Sequence, residues 1–292
     1  LGMPGTVVIP TAQPLRQYVV EVLERQSYPE VTPEGGGEIL LPYDITAWSI
    51  PLAFGVDVVR VEDALAGDSV LLGEPPAWPD PPTEGAGAWA VCDAAQVGCY
   101  AVVNRVLAEG GEVCRSTRPR PHEGPGAAPG SFYMGGIAAE RLVPLAKRDG
   151  VRLLLTGAPP AGCRAVRPQT VAVYHPDFGL EDAGWVRFVL EQAGFPTTVA
   201  HNGDIAAKGL LDRAKVVVFP PLEGKVIVDG ASRRSAVPMP PDYRGGIGSA
   251  GLAEVARFFE AGGTVSGFGP SAEWLAEALS LPGTNPLRGA AR

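Results

Sequence analysis

From residue 169 onward, short β-branched runs alternate with stretches of helical length, and few folds accept that alternation. The runs are "TVAVYH", "TTVAH", "KVVVFPP" and "TVSGFG"; between and after them stand "DAGWVRFVLEQAGF", a short stretch around 207–213, "SAGLAEVARFFEAGG" and "SAEWLAEALS". Near-continuous apolar strands separated by helices call for a parallel sheet covered on both faces. Trp185, Phe188, Val189 and Gln192 follow the spacing i, i+3, i+4, i+7, as do Leu252, Val255, Ala256 and Phe259. Each set predicts one core-facing helix stripe. Glu181 and Asp182 stand where a helix N-terminus favours negative charge. The expected fold is a flavodoxin-like α/β domain over 168–284.

Upstream, residues 88–166 read differently. "AWAVCD" is a strand pattern and 94–109 a helix with Cys99, Val102, Val103 and Val106 on one stripe. "EVCRS" and "SFYM" are strands, 137–149 a helix containing Pro144, and "VRLLLTG" a strand. The order β-α-β-β-α-β suits a small ferredoxin-like α/β layer, although other sheet orders fit it equally well. Residues 1–73 form a helical and linker-rich segment. Leu15, Tyr18, Val19, Val22 and Leu23 share a helical face. The apolar stretch from Tyr43 to Phe54 is partly helical and interrupted by Pro51, and "VDVVRV" reads as a strand. Trp48 and Phe54 are the aromatics expected to seek a partner surface, with burial inside this chain as the alternative. "EPPAWPDPPTEGAG" (74–87) is a linker, because proline and glycine there remove donors and regular dihedrals. A long exposed loop is expected at 117–130.

Composition excludes several classes of function. The net charge of −8 argues against a nucleic-acid surface. No apolar run approaches the ~20 residues of a membrane span. The first residue is Leu and no signal peptide is visible, so the sequence reads as part of a longer chain. Cys92, Cys99, Cys114 and Cys163 contain no C-x-x-C pair, which removes zinc-ribbon and thioredoxin-type readings. Buried free thiols are the expectation, with a disulfide open to an exported chain.

The stretch "GGIGSAG" (245–251) contains a literal G-x-G-x-x-G at Gly246, Gly248 and Gly251. A dinucleotide site needs a strand running into that motif and an acid after the next strand. Instead Pro238, Pro240 and Pro241 precede it, and "TVSGFGP" ends in no acid. The glycines are therefore expected to turn a loop into a helix capped by Ser249. A flavodoxin-like sheet also invites comparison with class I glutamine amidotransferases, whose nucleophilic Cys stands on a sharp strand-to-helix turn. The matching turn here is "SGFGPSAEW": Phe268, Gly269, Pro270 and Ser271, with every Cys before residue 164 and no His after His201. Ser271 is expected to cap the last helix and not to act as a nucleophile.

His122, His175 and His201 are the histidines, and neither H-E-x-x-H nor H-x-x-E occurs. His175 and His201 each follow a strand, and ligand sites in parallel sheets lie beyond the strands' carboxyl ends. If those strands are neighbours, His175, Asp177, His201 and Asp204 converge on a candidate ligand-binding site. The plainer alternative is that the histidines cap strand ends. A metal-dependent hydrolase on these groups is a third reading, with a poor ligand count. No catalytic residue and no metal ligand is assigned.

The stretches "VIPTAQPLRQYVVEVLERQSYPE", "PYDITAWSIPLAFGVDV", "EDAGWVRFVLEQAGFPTTVAHNGDI" and "YRGGIGSAGLAEVARFFEAGGTV" together resemble the region after the catalytic domain in large bacterial zinc carboxypeptidases of the carboxypeptidase A type. The recurring motifs are Y-D-x-T-A-W-x-x-P-L, at Tyr43 to Leu52, and Y-x-G-G-I-G, at Tyr243 to Gly248. The resemblance implies a parent metallocarboxypeptidase acting on peptides, with zinc held only in the upstream domain. It implies that this chain is a non-catalytic accessory region with an amidotransferase-like fold lacking the nucleophile. The implied partner is that upstream catalytic domain, and the implied destination is outside the cytoplasm. An independent small-molecule binding module, with its pocket near His175 and His201, is the alternative.

Overall fold

The computed structural model describes residues 6–25, 31–34, 37, 49–63, 69–74, 83–117, 130–207, 209–231, 240–283 and 285. The chain divides into two compact units, Leu1–Pro75 and Pro76–Arg292.

The first unit contains helix α1 (Arg16–Leu23) and helix α2 (Ile50–Phe54). Pro51 sits in the first turn of α2, where its missing N–H costs nothing, so it opens that helix and does not interrupt it. Ser49 is buried and its hydroxyl donates to the Glu24 carbonyl at 3.2 Å. "VDVVRV" is not a strand: Val56, Val58, Val59 and Val61 belong to no ladder and are exposed. A β-branched run alone supplies no partner, and a strand exists only by pairing. Phe54 is 75% exposed, and Trp48 lies outside the described residues.

The second unit is a mixed α/β structure with two sheets. In chain order it runs β1 (Thr83–Gly85), β2 (Trp89–Cys92), α3 (Val97–Ala108), β3 (Glu112–Arg115), β4 (Phe132–Gly135), α4 (Ala139–Arg148), β5 (Leu153–Thr156) and β6 (Arg164–Val166). These strands form a six-stranded sheet in the order β1-β5-β2-β4-β3-β6, antiparallel except for the β1–β5 pair. The expected β-α-β-β-α-β order occupies its middle. The additions at the two edges were not expected. β1 lies inside the stretch read as a linker, and β6 is a strand at the very end of the 88–166 stretch. Cys99, Val102, Val103 and Val106 of α3 are all buried on the stripe that periodicity indicated, with Met134, Leu142, Val151 and Leu153 around them. The expected loop at 117–130 lies mostly outside the described residues.

The chain then forms β7 (Val171–Tyr174), α5 (Glu181–Gln192), β8 (Thr197–Ala200), α6 (Asn202–Ala206), α7 (Leu210–Arg213), β9 (Val216–Phe219), α8 (Gly224–Asp229), α9 (Gly248–Glu260), β10 (Thr264–Gly267) and α10 (Pro270–Ala278). β7 to β10 make a parallel four-stranded sheet in the order β10-β9-β7-β8. Strand alternation turns Ala172, Tyr174, Val217 and Phe219 to one face, where they pack with Ile205, Ile227, Val255, Phe258 and Leu275. Val171, Val173 and Val218 turn to the other face and are buried as well, as a parallel sheet requires.

Two helix faces differ from expectation. Only Ala183 of α5 is buried, while Trp185, Phe188 and Val189 are 66, 51 and 62% exposed. On α9 the buried residues are Gly251, Glu254, Val255 and Phe258, so the core stripe is rotated by about one residue from the predicted one. Periodicity detects an apolar stripe, but the position of the sheet decides which stripe is covered.

Candidate functional site

The carboxyl edge of the parallel sheet is set by β7 and β8, which are direct neighbours. His175 follows β7 and His201 follows β8, so the two rings meet edge to face with centroids 5.5 Å apart. His201 Nδ1 lies 2.9 Å from the His175 carbonyl and 3.4 Å from Asp177 Oδ1. The His175 carbonyl and the Asp177 carboxylate are both acceptors facing this ring nitrogen. His175 Nδ1 stands 3.0 Å from the Pro176 carbonyl.

Asp204 is turned to a different task. Its Oδ2 accepts from the His201 backbone N–H at 2.9 Å, which caps α6. The Arg213 guanidinium donates to the Asp204 carbonyl and lies 3.4 Å from its Oδ1. His175, Asp177 and His201 thus share one spot, and Asp204 joins it only through backbone. Among the described residues, no group of three or more His, Cys, Asp or Glu side chains is placed to hold a metal.

Beneath this spot is a buried polar chain that the sequence reading missed. The Tyr174 hydroxyl donates to Asn202 Oδ1 at 2.7 Å, and Asn202 Nδ2 donates to the Gly245 carbonyl at 3.3 Å. Burial, and next the Asp177 carboxylate, push the Tyr174 hydroxyl well above its ordinary pKa. It therefore stays a protonated donor. The available signal was a tyrosine ending an otherwise aliphatic strand, since a buried hydroxyl must find a partner.

That chain explains the glycine motif. Gly245 to Ile247 lie against the start of α6 and against α8, with the Ile247 N–H donating to the Ile227 carbonyl at 2.9 Å. A Cβ on Gly246 would collide with the Ile227 carbonyl oxygen and with Val228 backbone, so only glycine permits this approach. The glycines bring chain against chain. Ile247, buried, is the N-cap of α9, and Ser249 is inside the helix; the expected serine cap is corrected.

The turn from β10 to α10 is the other place where chemistry was sought. Gly269 adopts φ 53° and ψ −125° as the N-cap, a conformation that favours glycine, and Pro270 follows as the first helical residue. Ser271 is not the cap. It is fully buried, with its hydroxyl 3.2 Å from the Phe219 carbonyl and 2.9 Å from the Phe268 carbonyl. A hydroxyl so enclosed is a structural donor.

All four cysteines are paired, as Cys92–Cys99 and Cys114–Cys163, which corrects the expectation of free thiols. A cleft of about 270 Å³ lies in the six-stranded sheet, between Trp89, Ile137, Leu142 and Leu155. Its lining carries no ionisable side chain. Among the described residues, no helix is long and apolar enough to cross a membrane. Comparison of the chain with protein-family models, with curated proteins and with solved structures finds no match.

Proposed function

We propose that this chain is a non-catalytic accessory region of a zinc carboxypeptidase-like protein, built on an amidotransferase-like sheet without its nucleophile. The observation that carries this reading is the Gly269–Pro270 turn. A sharp strand-to-helix turn is where such folds expose a nucleophile, with the N–H of the next residue stabilising the oxyanion. Here the apex residue is Gly269, which has no side chain, and the next is Pro270, which has no N–H. The nucleophile and the adjacent donor are both missing by residue identity.

Two further features support the reading. The order β8-β7-β9-β10 is that of the first four strands of flavodoxin-like doubly wound sheets. Two disulfides suit an oxidising compartment and hence an exported parent. Zinc belongs to the upstream catalytic domain in this reading, and recognition or packing against that domain is the role of this chain.

The test is made on the purified chain after dialysis against a weak chelator. Zinc is measured by elemental mass spectrometry, and hydrolysis of a blocked dipeptide and of glutamine is followed in parallel. The expected result is zinc far below one per chain and both rates at buffer background. One zinc per chain that disappears in a His175→Ala/His201→Ala variant, or hydrolysis above background, would overturn the proposal.

A further inference from the structure

We infer that Cys114–Cys163 is a reducible latch that holds the edge strand β6 on the six-stranded sheet, and that its opening uncovers the sheet face that α3 and α4 leave free. The two disulfides are placed very differently. Cys92 and Cys99 are 1% and 0% exposed and lie in the main core of that sheet, beside Val102 and Met134. Cys114 is 9% exposed and Cys163 half-buried, with Ala161, Gly162 and Arg164 around it exposed. Thiol–disulfide exchange needs a line of approach to one sulfur, and only the second bridge offers it.

Besides the bridge, β6 is held by its three-pair ladder with β3 and by Val166, which packs against the main core of the sheet. The strand is three residues long, lies at the end of the strand order, and exposes Arg164 and Ala165. Its register with β3 sets Arg164 directly opposite Arg115. Like charges facing each other across an antiparallel pair oppose the pairing. Arg115 is held in place on its own side by the Gly130 carbonyl at 3.2 Å and by the Phe132 ring, 5.4 Å from its guanidinium carbon. The bridge therefore fastens a short strand that Val166 anchors at one end while Arg164 works against its position at the other.

The same bridge covers a small apolar cluster. Val91, Cys114 and Tyr133 are buried, with Trp89, Leu154 and Cys163 packed against them. These residues alternate along the strands with those beneath α3 and α4, so they occupy the opposite face.

The chemistry is two-step exchange with a dithiol. One thiolate of the dithiol attacks Cys163 Sγ, the protein S–S bond breaks, and the Cys114 sulfur leaves and is protonated. The second sulfur of the dithiol then displaces Cys163, which is protonated in turn. The protein bridge gains two electrons and becomes two thiols; the dithiol loses two and becomes a disulfide.

The test treats the folded chain with dithiothreitol, quenches with an alkylating agent at intervals, and locates modified cysteines by mass spectrometry. Labelling of Cys114 and Cys163 is expected to be at least about tenfold faster than that of Cys92 and Cys99, because access controls the attack. Amides of β6 are expected to lose hydrogen-exchange protection at the same rate, while those of β7 to β9 keep theirs. A Cys114→Ser/Cys163→Ser variant is expected to show the reduced protein's exchange pattern without reductant. The inference is overturned if Cys92–Cys99 opens first, if both bridges open together with loss of protection in both sheets, or if β6 stays protected after selective reduction.

Discussion

The two sheets of the second unit are cross-linked by different chemistry. The six-stranded sheet holds both disulfides. The parallel sheet contains no cysteine and is held by buried polar groups. One is the Tyr174–Asn202–Gly245 chain. Another is Glu254, buried on α9, whose Oε1 accepts from the Leu210 N–H at 3.0 Å and whose Oε2 accepts from Arg257 Nε at 2.8 Å. A parallel sheet buried on both faces has room for satisfied polar staples. A sheet whose second face carries, among the described residues, a small cluster has less burial to draw on, and a covalent bond supplements it. The two regions should then answer to different perturbations, the first to thiols and the second to pH and to core truncation.

The strongest way to break that comparison is to empty the parallel core. Phe219 is fully buried, 5.2 Å from both the Tyr174 and the Trp274 rings between centroids. Phe219→Ala is expected to cost about 3–5 kcal/mol. Hydrogen exchange should show that loss in β7 to β10, with β2 to β5 keeping their protection, because the two main cores share no residue. Equal loss in both sheets would mean one cooperative core and would end the contrast.

A smaller effect sharpens it. The Arg257 guanidinium, despite opposing desolvation and with help from the Leu210 N–H, holds the Glu254 carboxyl down at about 2. An unfolded glutamate titrates near ~4.3. Between those values the unfolded chain binds the extra proton, so the contribution is full above the unfolded value and falls away as pH drops towards 2. Glu254→Gln should lower stability by about 1–2 kcal/mol at pH 7. Urea midpoints of variant and parent should converge as pH falls below 4. A constant gap across that range would remove the charge from the account.

The smallest effect concerns the candidate site. His201 is about half exposed and sits at the N-cap of α6. His201→Ala is expected to cost about 0.5–1 kcal/mol, the scale of a cap or strand-end contact. Thermal melts with and without added zinc should give the same small shift. A zinc-dependent difference would show that the ring holds metal.

Much of this was legible in the sequence. Runs such as "VAVY" and "VVVF" announced buried strands, and the α3 stripe announced its own core, because side-chain periodicity is local to each element. His175 and His201 could be set at strand ends for the same reason. The partners of Tyr174 and the pairing of the cysteines could not. Tyr174 and Asn202 are 28 residues apart, and Cys114 and Cys163 are 49 apart, so only the sheet order brings them together. The face of α5 was misjudged on different grounds. Its stripe is apolar, but what lies opposite is decided by neighbouring elements.

By itself the sequence determined most of the strands and helices of the second unit and which residue types stand at each turn. Strand and helix follow from residue pattern, and Gly269, Pro270 and the missing H-x-x-E are identities that no packing can alter. Tertiary structure alone decided that the glycine motif brings chain against chain, that the cysteines bond in two pairs, and that Trp185 and Phe188 face outward. The physical reason is range: dihedral preference and periodicity act between near neighbours, whereas burial and bonding depend on segments that meet only once the sheets have formed.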